Sequence, residues 1–455
     1  MKKIIVIIAL PILLFMSSCQ KYVDGFDVSP NSPSNVPVTQ LLPASQLALF
    51  SSYTGENARR AAVLMQQQSG KLFQYDELER YDIREETIQN DWQTIYEIGL
   101  MNPQLIIEKA GDSNKKYRGI AKVIKAMNLG LATDLWGDVP NKEALQGQKG
   151  EANWNPAYDA QEQIFADMQT MLDEAITDLK ANGDKDNVIE PGADDIIFNG
   201  DADSWIIAAQ VLKARYLNRL SKRDPGGSAT RTLAAVDAAL AAGSATAKDM
   251  MALAGENPNE QNQWYAFNIG RAGYMVMSNN FLTILKNLND PRLPLYAARD
   301  KQGNYTEGSI VGTYYGAANA NLPLVTYYEL KFIEAEASLR AGNKLRAADA
   351  LNAAVKANIR KVTGAANAVY ETANASETAA TITLDKIMTQ KYIAMFTQPE
   401  VWSDWRRTNV PKLTKNAAST LAGIPRRLPT AQTERQFNSK AKVESNLLAP
   451  VWWDN

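Results

Sequence analysis

The chain has 455 residues, 48 Lys and Arg against 50 Asp and Glu, and 45% hydrophobic residues, which is typical of a globular protein. It contains no histidine and one cysteine, so Ser-His-Asp and Cys-His catalysis and histidine-based zinc sites are excluded. No basic block, Gly-rich phosphate loop or G-x-S-x-G motif is present, which argues against nucleic-acid binding, nucleotide chemistry and α/β-hydrolase activity.

The first eighteen residues have the pattern of a secretory signal peptide. A short basic start, residues 1–3, precedes an apolar run, residues 4–15, and then small residues up to Ser18. An apolar run of this length is too short to span a bilayer as a helix, which needs about 20 residues. We therefore predict that residues 1–18 are removed.

Cys19 follows the small residues at the position where a bacterial lipoprotein is cut and acylated, with Met16 where Leu is commonest. A chance cysteine near a cleavage site is the alternative interpretation. Several acyl chains on Cys19 would hold the protein on a membrane, because one chain alone anchors weakly. Residues 19–40 are predicted to be the acylated cysteine and an extended tether, since Pro30, Pro33 and Pro37 alternate with polar residues.

Beyond the tether, apolar residues recur at spacings of three and four, which predicts a mainly α-helical domain over residues 41–455. Strand-like alternation is scarce, with one short hairpin predicted near residues 308–315. The predicted helices cover residues 41–68, 85–110, 115–135, 158–180, 204–220, 325–341, 345–362 and 384–397.

Two helix pairs have the form of a tetratricopeptide repeat. In residues 327–361, Gly342 separates two helices, and Ala335, Ala347 and Ala354 stand where small residues allow close packing. Residues 204–242 have a similar form. A generic α-hairpin explains either pair alone, but stacked hairpins would share a continuous core.

Two stretches, residues 182–200 and 251–321, are predicted to be rich in loops. The first holds a loose acidic cluster, which lacks the glycine that an EF-hand needs at its sixth position, since Ile189 stands there. Turns and capping of the helix near Ser204 explain most of these carboxylates. A surface calcium site is the alternative.

The order of several short motifs resembles the SusD/RagB-like outer-membrane lipoproteins of Bacteroidetes, and the resemblance covers essentially the whole chain behind the lipoprotein signal. The motifs are residues 41–43 (LLP), 134–140 (DLWGDVP), 289–294 (NDPRLP), 327–337 (YYELKFIEAEA), 390–396 (QKYIAMF), 400–407 (EVWSDWRR), 425–429 (PRRLP), 434–438 (ERQFN) and 450–454 (PVWWD).

The resemblance implies four tetratricopeptide-like helix pairs, with irregular segments on one side forming a ligand site. It also implies a non-enzymatic, lipid-anchored protein on the outer membrane that acts as a lid over a SusC-like, TonB-dependent transporter. The ligand would be an oligosaccharide, or a peptide in the RagB branch, and no cofactor is implied. Asp24 and Asp27 are consistent with export to the cell exterior.

Two of these motifs have structural explanations. In residues 134–140, Gly137 is predicted to end a helix and Trp136 to pack nearby, with a contribution to the ligand site as the alternative. Glu334 and Glu336 point to different sides of a helix, so they cannot act as the carboxylate pair of a glycosidase. We expect one of them to face the core and to pair with an arginine, such as Arg215 or Arg406.

Aromatic residues in the loop-rich segment carry the functional prediction, because a sugar presents an apolar CH face to a flat ring. Those on helices are predicted to lie in the core: Trp92, Trp205, Trp402 and Trp405. The candidate ligand contacts are Trp264, Tyr265, Tyr305, Tyr314 and Tyr315, with Asn262, Asn268 and Arg271 as hydrogen-bonding partners.

Four functions fit the sequence to different degrees. A binding protein that delivers glycan fragments to a transporter comes first, and the same protein delivering peptides comes second. A lipid-anchored glycosidase is a third, because helical-repeat folds host such enzymes and the chain has many carboxylates. A structural repeat adaptor is the fourth, and it fits poorly with export and aromatic-rich loops.

Overall fold

The computed structural model of the protein describes residues 36–455. The predicted signal peptide, Cys19 and residues 20–35 of the predicted tether lie outside the described residues. The tether was predicted to extend to residue 40, but the first helix begins at Val38, directly after the extended Pro37. The tether prediction is wrong over these last residues because Val38, Leu41 and Leu42 bury their side chains.

Helices dominate the described chain, as the periodicity predicted. The α-helices are α1 (Val38–Thr54), α2 (Glu56–Leu64), α3 (Gln74–Glu79), α4 (Gln89–Gln93), α5 (Met101–Ala110), α6 (Lys115–Trp136), α7 (Gln161–Leu179), α8 (Ala202–Arg219), α9 (Pro225–Ala241), α10 (Gln263–Gly270), α11 (Asn279–Asn287), α12 (Leu293–Tyr296), α13 (Thr313–Gly316), α14 (Tyr327–Arg340), α15 (Lys344–Thr363), α16 (Ala368–Asn374), α17 (Leu384–Ala394), α18 (Glu400–Thr408) and α19 (Gln432–Phe437). A π-helix, Thr94–Leu100, joins α4 to α5. The 3-10 helices are Glu86–Ile88, Gly147–Lys149, Glu151–Asn153 and Trp452–Asp454.

The strands are short and pair in twos. They are β1 (Gln68–Gly70), β2 (Val139–Pro140), β3 (Tyr158–Asp159), β4 (Met250–Ala252), β5 (Met275–Met277) and β6 (Leu322–Val325). The antiparallel pairs are β1 with β5, β2 with β3, and β4 with β6. Gln68 lies opposite Met277, so the first pair joins the start of the chain to the middle of the loop-rich segment.

The scaffold is a stack of helix pairs, which confirms the predicted fold class. α1 packs on α5, α6 on α7, α8 on α9, and α14 on α15, and neighbouring pairs contact one another through α7 and α8 and through α9 and α14. Apolar side chains along these helices form a hydrophobic cluster that extends from Val38 to Trp453. Such stacking lets each pair bury a face that it could not bury alone.

Polar side chains at the helix ends explain where the helices begin. Thr326 accepts a hydrogen bond from the Glu329 N–H and so caps α14, and Asn343 caps α15 in the same way. Asp201 accepts from the Asp203 N–H and caps α8, which confirms that capping accounts for part of the acidic cluster. The segment 182–200 contains no helix, as predicted.

Three details of the predicted pattern are wrong. The helix over residues 41–68 is two helices that meet at Gly55, and the helix over residues 85–110 is divided by the π-helix. The hairpin near residues 308–315 is absent: Val311 forms a single bridge with Ala297, and α13 follows. The loop-rich segment 251–321 lies against the scaffold through β4–β6 and β1–β5, with short helices and strands between its loops.

A network of buried charges joins the helix pairs. The Arg215 guanidinium donates to both carboxylate oxygens of Glu329, at 2.6 Å each, and to the Tyr53 hydroxyl at 2.7 Å. Tyr53 in turn donates to Glu400 at 2.6 Å. Arg219 pairs with Glu400 and, at 2.9 Å, with Asp134. These contacts connect α1, α6, α8, α14 and α18.

Glu334 and Glu336 of the YYELKFIEAEA motif serve the scaffold, as expected, although their partners differ from the predicted ones. Buried Glu336 pairs with Arg407, and it accepts a hydrogen bond from Asn218 at 2.9 Å. Glu334 pairs with Lys331 and with Arg346, the latter at 2.8 Å. The predicted partners Arg215 and Arg406 are used elsewhere, because the side chain of Arg406 donates instead to the carbonyls of Asp134 and Arg426.

Candidate functional site

The candidate aromatic residues do not share one environment. Trp264 is only 1% exposed, its ring nitrogen donates to the Thr54 carbonyl at 2.9 Å, and its ring meets that of Phe396 edge-on. Tyr315 is also 1% exposed and stacks on Tyr296 with ring centroids 5.4 Å apart. Both were predicted to contact ligand, and burial in the core overturns that prediction, because the segment folds inward at α10 and α13.

Tyr305 and Tyr314, two further candidates, are half-buried and already in contact with other groups of the protein. The Tyr314 hydroxyl donates to the Lys361 carbonyl at 3.2 Å, which ties α13 to α15. The Tyr305 ring lies beneath Arg299, whose guanidinium carbon is 4.5 Å from the ring centroid. We therefore keep Tyr305 and Tyr314 as candidates for contact of a ring edge with a ligand, and not as stacking surfaces.

The polar candidates cluster around α10. Asn262 is buried and caps this helix, with its side-chain oxygen accepting from the N–H groups of Trp264 and Tyr265. Tyr265 and Asn268 are half-buried on the helix, and Arg271 follows its last residue and is exposed. Arg271 has no carboxylate within ion-pair distance among the described residues, so its guanidinium is available to a ligand.

Beside Arg271 lies an exposed aromatic pair that the sequence analysis missed. The Phe73 ring is 67% exposed, and it stacks on Tyr274 with centroids 4.9 Å apart and planes 30° apart. Leu72 and Ile269 are exposed as well. We call Phe73 and Tyr274 the aromatic platform. Phe73 could have been found only as an aromatic residue between helices, since it belongs to none of the recognised motifs.

A chain of rings anchors the platform in the core. Tyr274 meets Phe267 edge-on, and Phe267 meets buried Tyr75 in the same way, with centroids 6.3 and 5.0 Å apart. Arg59 lies 4.5 Å above the Phe267 ring, and it donates to the Tyr75 hydroxyl at 2.9 Å. Burial raises the pKa of Tyr75, so this hydroxyl stays protonated and continues to donate to Glu56.

Backbone pairing fixes the two halves of the platform relative to each other. β1 ends at Gly70, just before Phe73, and β5 begins at Met275, directly after Tyr274. Between them the Lys71 N–H donates to the Tyr274 carbonyl at 2.8 Å. Gly70 is required here, because a side chain would place Cβ 1.7 Å from the carbonyl oxygen of Tyr75. Phe73 itself has a φ of 52° and a ψ of −134°, a region that residues with a side chain rarely adopt.

This backbone conformation is informative about function. Residues with a side chain are held in such regions at a cost of about 1–3 kcal/mol, and they concentrate at binding and active sites. The surrounding structure forces Phe73 outward instead of allowing it to join the nearby core. The exposed Phe73 ring, held on half-buried Tyr274, can stack on a flat apolar face, and the exposed Arg271 guanidinium, which lies over the Phe267 ring, can donate hydrogen bonds.

A cavity of about 440 Å³ lies at the other end of α10. Its walls combine apolar Leu47, Phe50 and Leu322 with polar Gln263 and Glu260. Because α10 has eight residues, its ends are about 12 Å apart, so the cavity and the platform flank one short helix. The loop-rich side therefore offers both a flat aromatic surface and an adjoining polar cavity.

Two general features of the described residues bear on function. Among residues 36–455, no group of three or more histidine, cysteine, aspartate or glutamate side chains could hold a metal ion. Within the same residues, no helix is both long and apolar enough to cross a membrane.

Solved structures with the same fold are numerous. A SusD/RagB family protein from Bacteroides thetaiotaomicron VPI-5482 is 24% identical, with a TM-score of 0.75 over 92% of this chain and 99% of that one. A chitin-binding protein is 23% identical, with a TM-score of 0.75 over 90% and 99%. A chitin-binding SusD homologue from Flavobacterium johnsoniae is 21% identical, with a TM-score of 0.71 over 91% and 98%. At these identities the likeness establishes the fold alone.

The family is established by sequence. No curated protein matches the chain, but the model of a SusD-like family, described as starch-binding and associating with the outer membrane, matches residues 30–429. That range covers most of the chain, and it includes the majority of the motifs on which the resemblance depended. The protein therefore belongs to the SusD-like family of starch-binding proteins that associate with the outer membrane.

Proposed function

We propose that this protein is a nutrient-binding receptor that captures oligosaccharides on the aromatic platform. The observation that carries the proposal is the exposed stack of Phe73 on Tyr274, held by buried rings and by a strained backbone at Phe73. Pyranose rings present apolar CH faces that pack on such surfaces, and Arg271 stands beside the platform as a hydrogen-bond donor. The starch-binding description of the family supports a glycan ligand.

The receptor would work together with a transporter. In this proposal Cys19 is acylated, the chain faces the cell exterior, and a SusC-like, TonB-dependent barrel accepts the ligand. A rigid scaffold of helix pairs suits such a role, because it can dock broadly while the loop-rich side adapts to the ligand. The protein binds without catalysis: Glu334 and Glu336, the paired glutamates of its clearest motif, are both committed to arginines in the scaffold.

Calorimetry with the mature chain, carrying Cys19→Ser to avoid lipid, tests the ligand. Maltooligosaccharides, chitooligosaccharides and short peptides form the panel, and each mixture is also examined for hydrolysis products. We expect a glycan to bind without hydrolysis, and Phe73→Ala to weaken it about tenfold, the effect of losing about 1.4 kcal/mol of stacking. Phe437→Ala removes an equally exposed ring, 74% accessible, on α19 and should leave affinity unchanged.

The remaining outcomes separate the alternatives. Binding of peptides with the same dependence on Phe73 would favour the RagB-type function over the glycan one. Release of shorter sugars would contradict a pure receptor and point to a lipid-anchored glycosidase. Glycan binding that is indifferent to Phe73→Ala and Tyr274→Ala would place the site elsewhere.

A second experiment tests the anchor in cells. The full chain and its Cys19→Ser variant are expressed in the native host, and membranes are separated from the soluble fraction. We expect the wild type in the outer-membrane fraction, accessible to protease added to whole cells. Equal membrane association of the Cys19→Ser variant would contradict acylation as the anchor.

A further inference from the structure

A second cavity, of about 280 Å³, has no wall residue in common with the aromatic platform. Its walls come from parts of the sequence that are up to 342 positions apart, since Trp92 and Glu434 both line it. Tyr96, Glu97, Pro140 and Pro156 contribute to the same walls. We call it the Trp92 cavity.

Aromatic rings are fixed in the wall of this cavity. Trp92 stacks on Tyr96 with centroids 4.4 Å apart and planes 25° apart, and its edge meets the buried ring of Trp136. The Tyr96 hydroxyl donates to the Pro140 carbonyl at 2.8 Å, and the Tyr158 hydroxyl donates to Glu434 at 3.0 Å. The tyrosine hydroxyls are therefore committed to the protein. The aromatic part of the wall is the half-buried Tyr96 ring backed by buried Trp92, which also stacks on Tyr158 with centroids 6.5 Å apart.

The charges that face the cavity all have one sign. Oε2 of Glu434 accepts from both Tyr158 and Asn438 at 3.0 Å, which fixes the carboxylate, and Oε1 has no donor among the described residues. Glu97 lines the opening, is exposed, and has no hydrogen-bond or ion-pair partner within residues 36–455. No lysine or arginine lines the cavity.

Two backbone features coincide at this place. Tyr96 and Glu97 belong to the π-helix Thr94–Leu100, and π-helical segments are rare and frequently found at functional sites. Leu145, another wall residue, has a φ of 63°, which is unusual for a bulky side chain.

We propose that the Trp92 cavity binds an organic ammonium ion, such as a lysine side chain of a peptide or the amine of an amino sugar. Aromatic faces attract cations, and two carboxylates without a competing base add to that attraction. The charged groups of the lining, Glu97 and Glu434, can only accept hydrogen bonds, which favours a ligand that carries a positive charge and several donors. Its volume of about 280 Å³ lies just below the range of about 300–1,000 Å³ for small-ligand sites, so it suits one side chain or one sugar unit.

Calorimetry and ligand-observed NMR on the mature Cys19→Ser chain test this proposal. The probes are Nα-acetyl-lysine methylamide and glucosamine, and their neutral counterparts are the Nε-acetylated lysine derivative and N-acetylglucosamine. We expect at least one amine to bind and its acetylated counterpart to bind about tenfold more weakly or not at all, because acetylation removes the charge. The amine that binds distinguishes a peptide source from a sugar source.

Variants assign the binding to this cavity. Glu97→Gln keeps the side-chain size and should weaken the amine about threefold to fivefold, the effect of one partly exposed ion pair. Glu434→Gln should act in the same direction. Glu108→Gln, an equal loss of charge on α5 outside the cavity, is the matched control and should change nothing.

Three results would overturn the proposal. These are equal binding of amines and acetylated probes, no saturable binding of either amine, and binding that survives Glu97→Gln and Glu434→Gln unchanged in folded protein. The Phe73→Ala variant keeps this test separate from the proposed function, since it should lose oligosaccharide binding and retain amine binding. Near-UV circular dichroism establishes that each variant is folded.

Discussion

The buried charge network and the aromatic platform both contain arginine and aromatic side chains, but these are buried in the network and largely exposed at the platform. In the core, Glu336 and Arg407 are buried and paired with each other, which joins α14 to α18. At the platform, Phe73 faces solvent, and the exposed Arg271 lies over the Phe267 ring with no ion pair among the described residues. The difference indicates which part of the chain is constrained by the fold and which part is free to follow a ligand.

The residues behind the family resemblance belong mostly to the first region. Trp136 donates to the Pro429 carbonyl, which joins two motifs that are almost three hundred positions apart. Arg292 of the NDPRLP motif is buried and donates to Asp290, Asn358 and Tyr370. These motifs therefore identify the scaffold and not the ligand, which is why the family was recognisable while the ligand-binding residues were not.

The largest effect is expected from breaking the buried network at Glu336. Glu336→Ala leaves the buried Arg407 guanidinium without its main partner, and removal of one member of a buried pair costs about 3–5 kcal/mol. Denaturant unfolding measures the loss of stability. Glu86→Ala is the matched control, because Glu86 is 57% exposed and pairs only with Arg84, so its removal should cost at most about 1 kcal/mol.

A small change for Glu336→Ala, comparable to that for Glu86→Ala, would contradict the view that the network stabilises the stack. Oligosaccharide affinity at a temperature where both variants are folded should equal that of the wild type, since neither glutamate touches the platform. The two variants, Glu336→Ala and Glu86→Ala, thus distinguish an effect on stability from an effect on ligand binding.

The same glutamate should make the fold sensitive to acid. Burial raises the pKa of Glu336, but Arg407 outweighs it, and the pKa lies well below the ordinary value of 4.5. A lowered pKa in the folded state stabilises the fold above the unfolded value, and this contribution is lost as the pH falls below about 4.5, at up to about 1.4 kcal/mol per pH unit.

Urea unfolding between pH 7 and pH 3 measures this dependence for the wild type and Glu336→Gln. We expect the difference in stability between the two proteins to shrink as the pH falls below the ordinary value of 4.5. Burial raises the pKa of Asp134, which is the opposite direction. Because Asp134 is present in both proteins, its contribution cancels when their stabilities are compared. A difference that stays constant over this range would contradict the depressed pKa.

The helices could be predicted from the sequence because each contains many residues that repeat one pattern. α6 ends one residue later than predicted, and α15 begins one residue earlier and ends one residue later than predicted. The site could not be predicted in the same way. Whether an aromatic residue between helices is exposed, like Phe73, or buried, like Trp264, depends on contacts with Tyr274 and Thr54 that are distant in sequence.

Trp264→Phe tests the division of the loop-rich aromatics into structural and binding groups. The substitution leaves the Thr54 carbonyl without its donor and creates a small void, which together should cost about 1–3 kcal/mol of stability. Tyr265→Phe on the same helix removes a hydroxyl without a hydrogen-bond partner among residues 36–455 and should stay within about 0.5 kcal/mol. Thermal unfolding measures both. An unchanged stability of Trp264→Phe would return Trp264 to the list of ligand candidates.

The smallest expected change concerns the backbone of Phe73. Glycine is the residue that adopts a φ of 52° with a ψ of −134° most readily, whereas alanine retains the Cβ that makes this region unfavourable. Phe73→Gly should therefore be more stable than Phe73→Ala by about 1 kcal/mol, although glycine normally destabilises a fold relative to alanine through the entropy of the unfolded chain. Both variants should lose oligosaccharide affinity equally. Since Ala and Gly lack the ring alike, the order of their stabilities reports the strain alone, and the reverse order would mean that Phe73 is exposed without being held outward by its backbone.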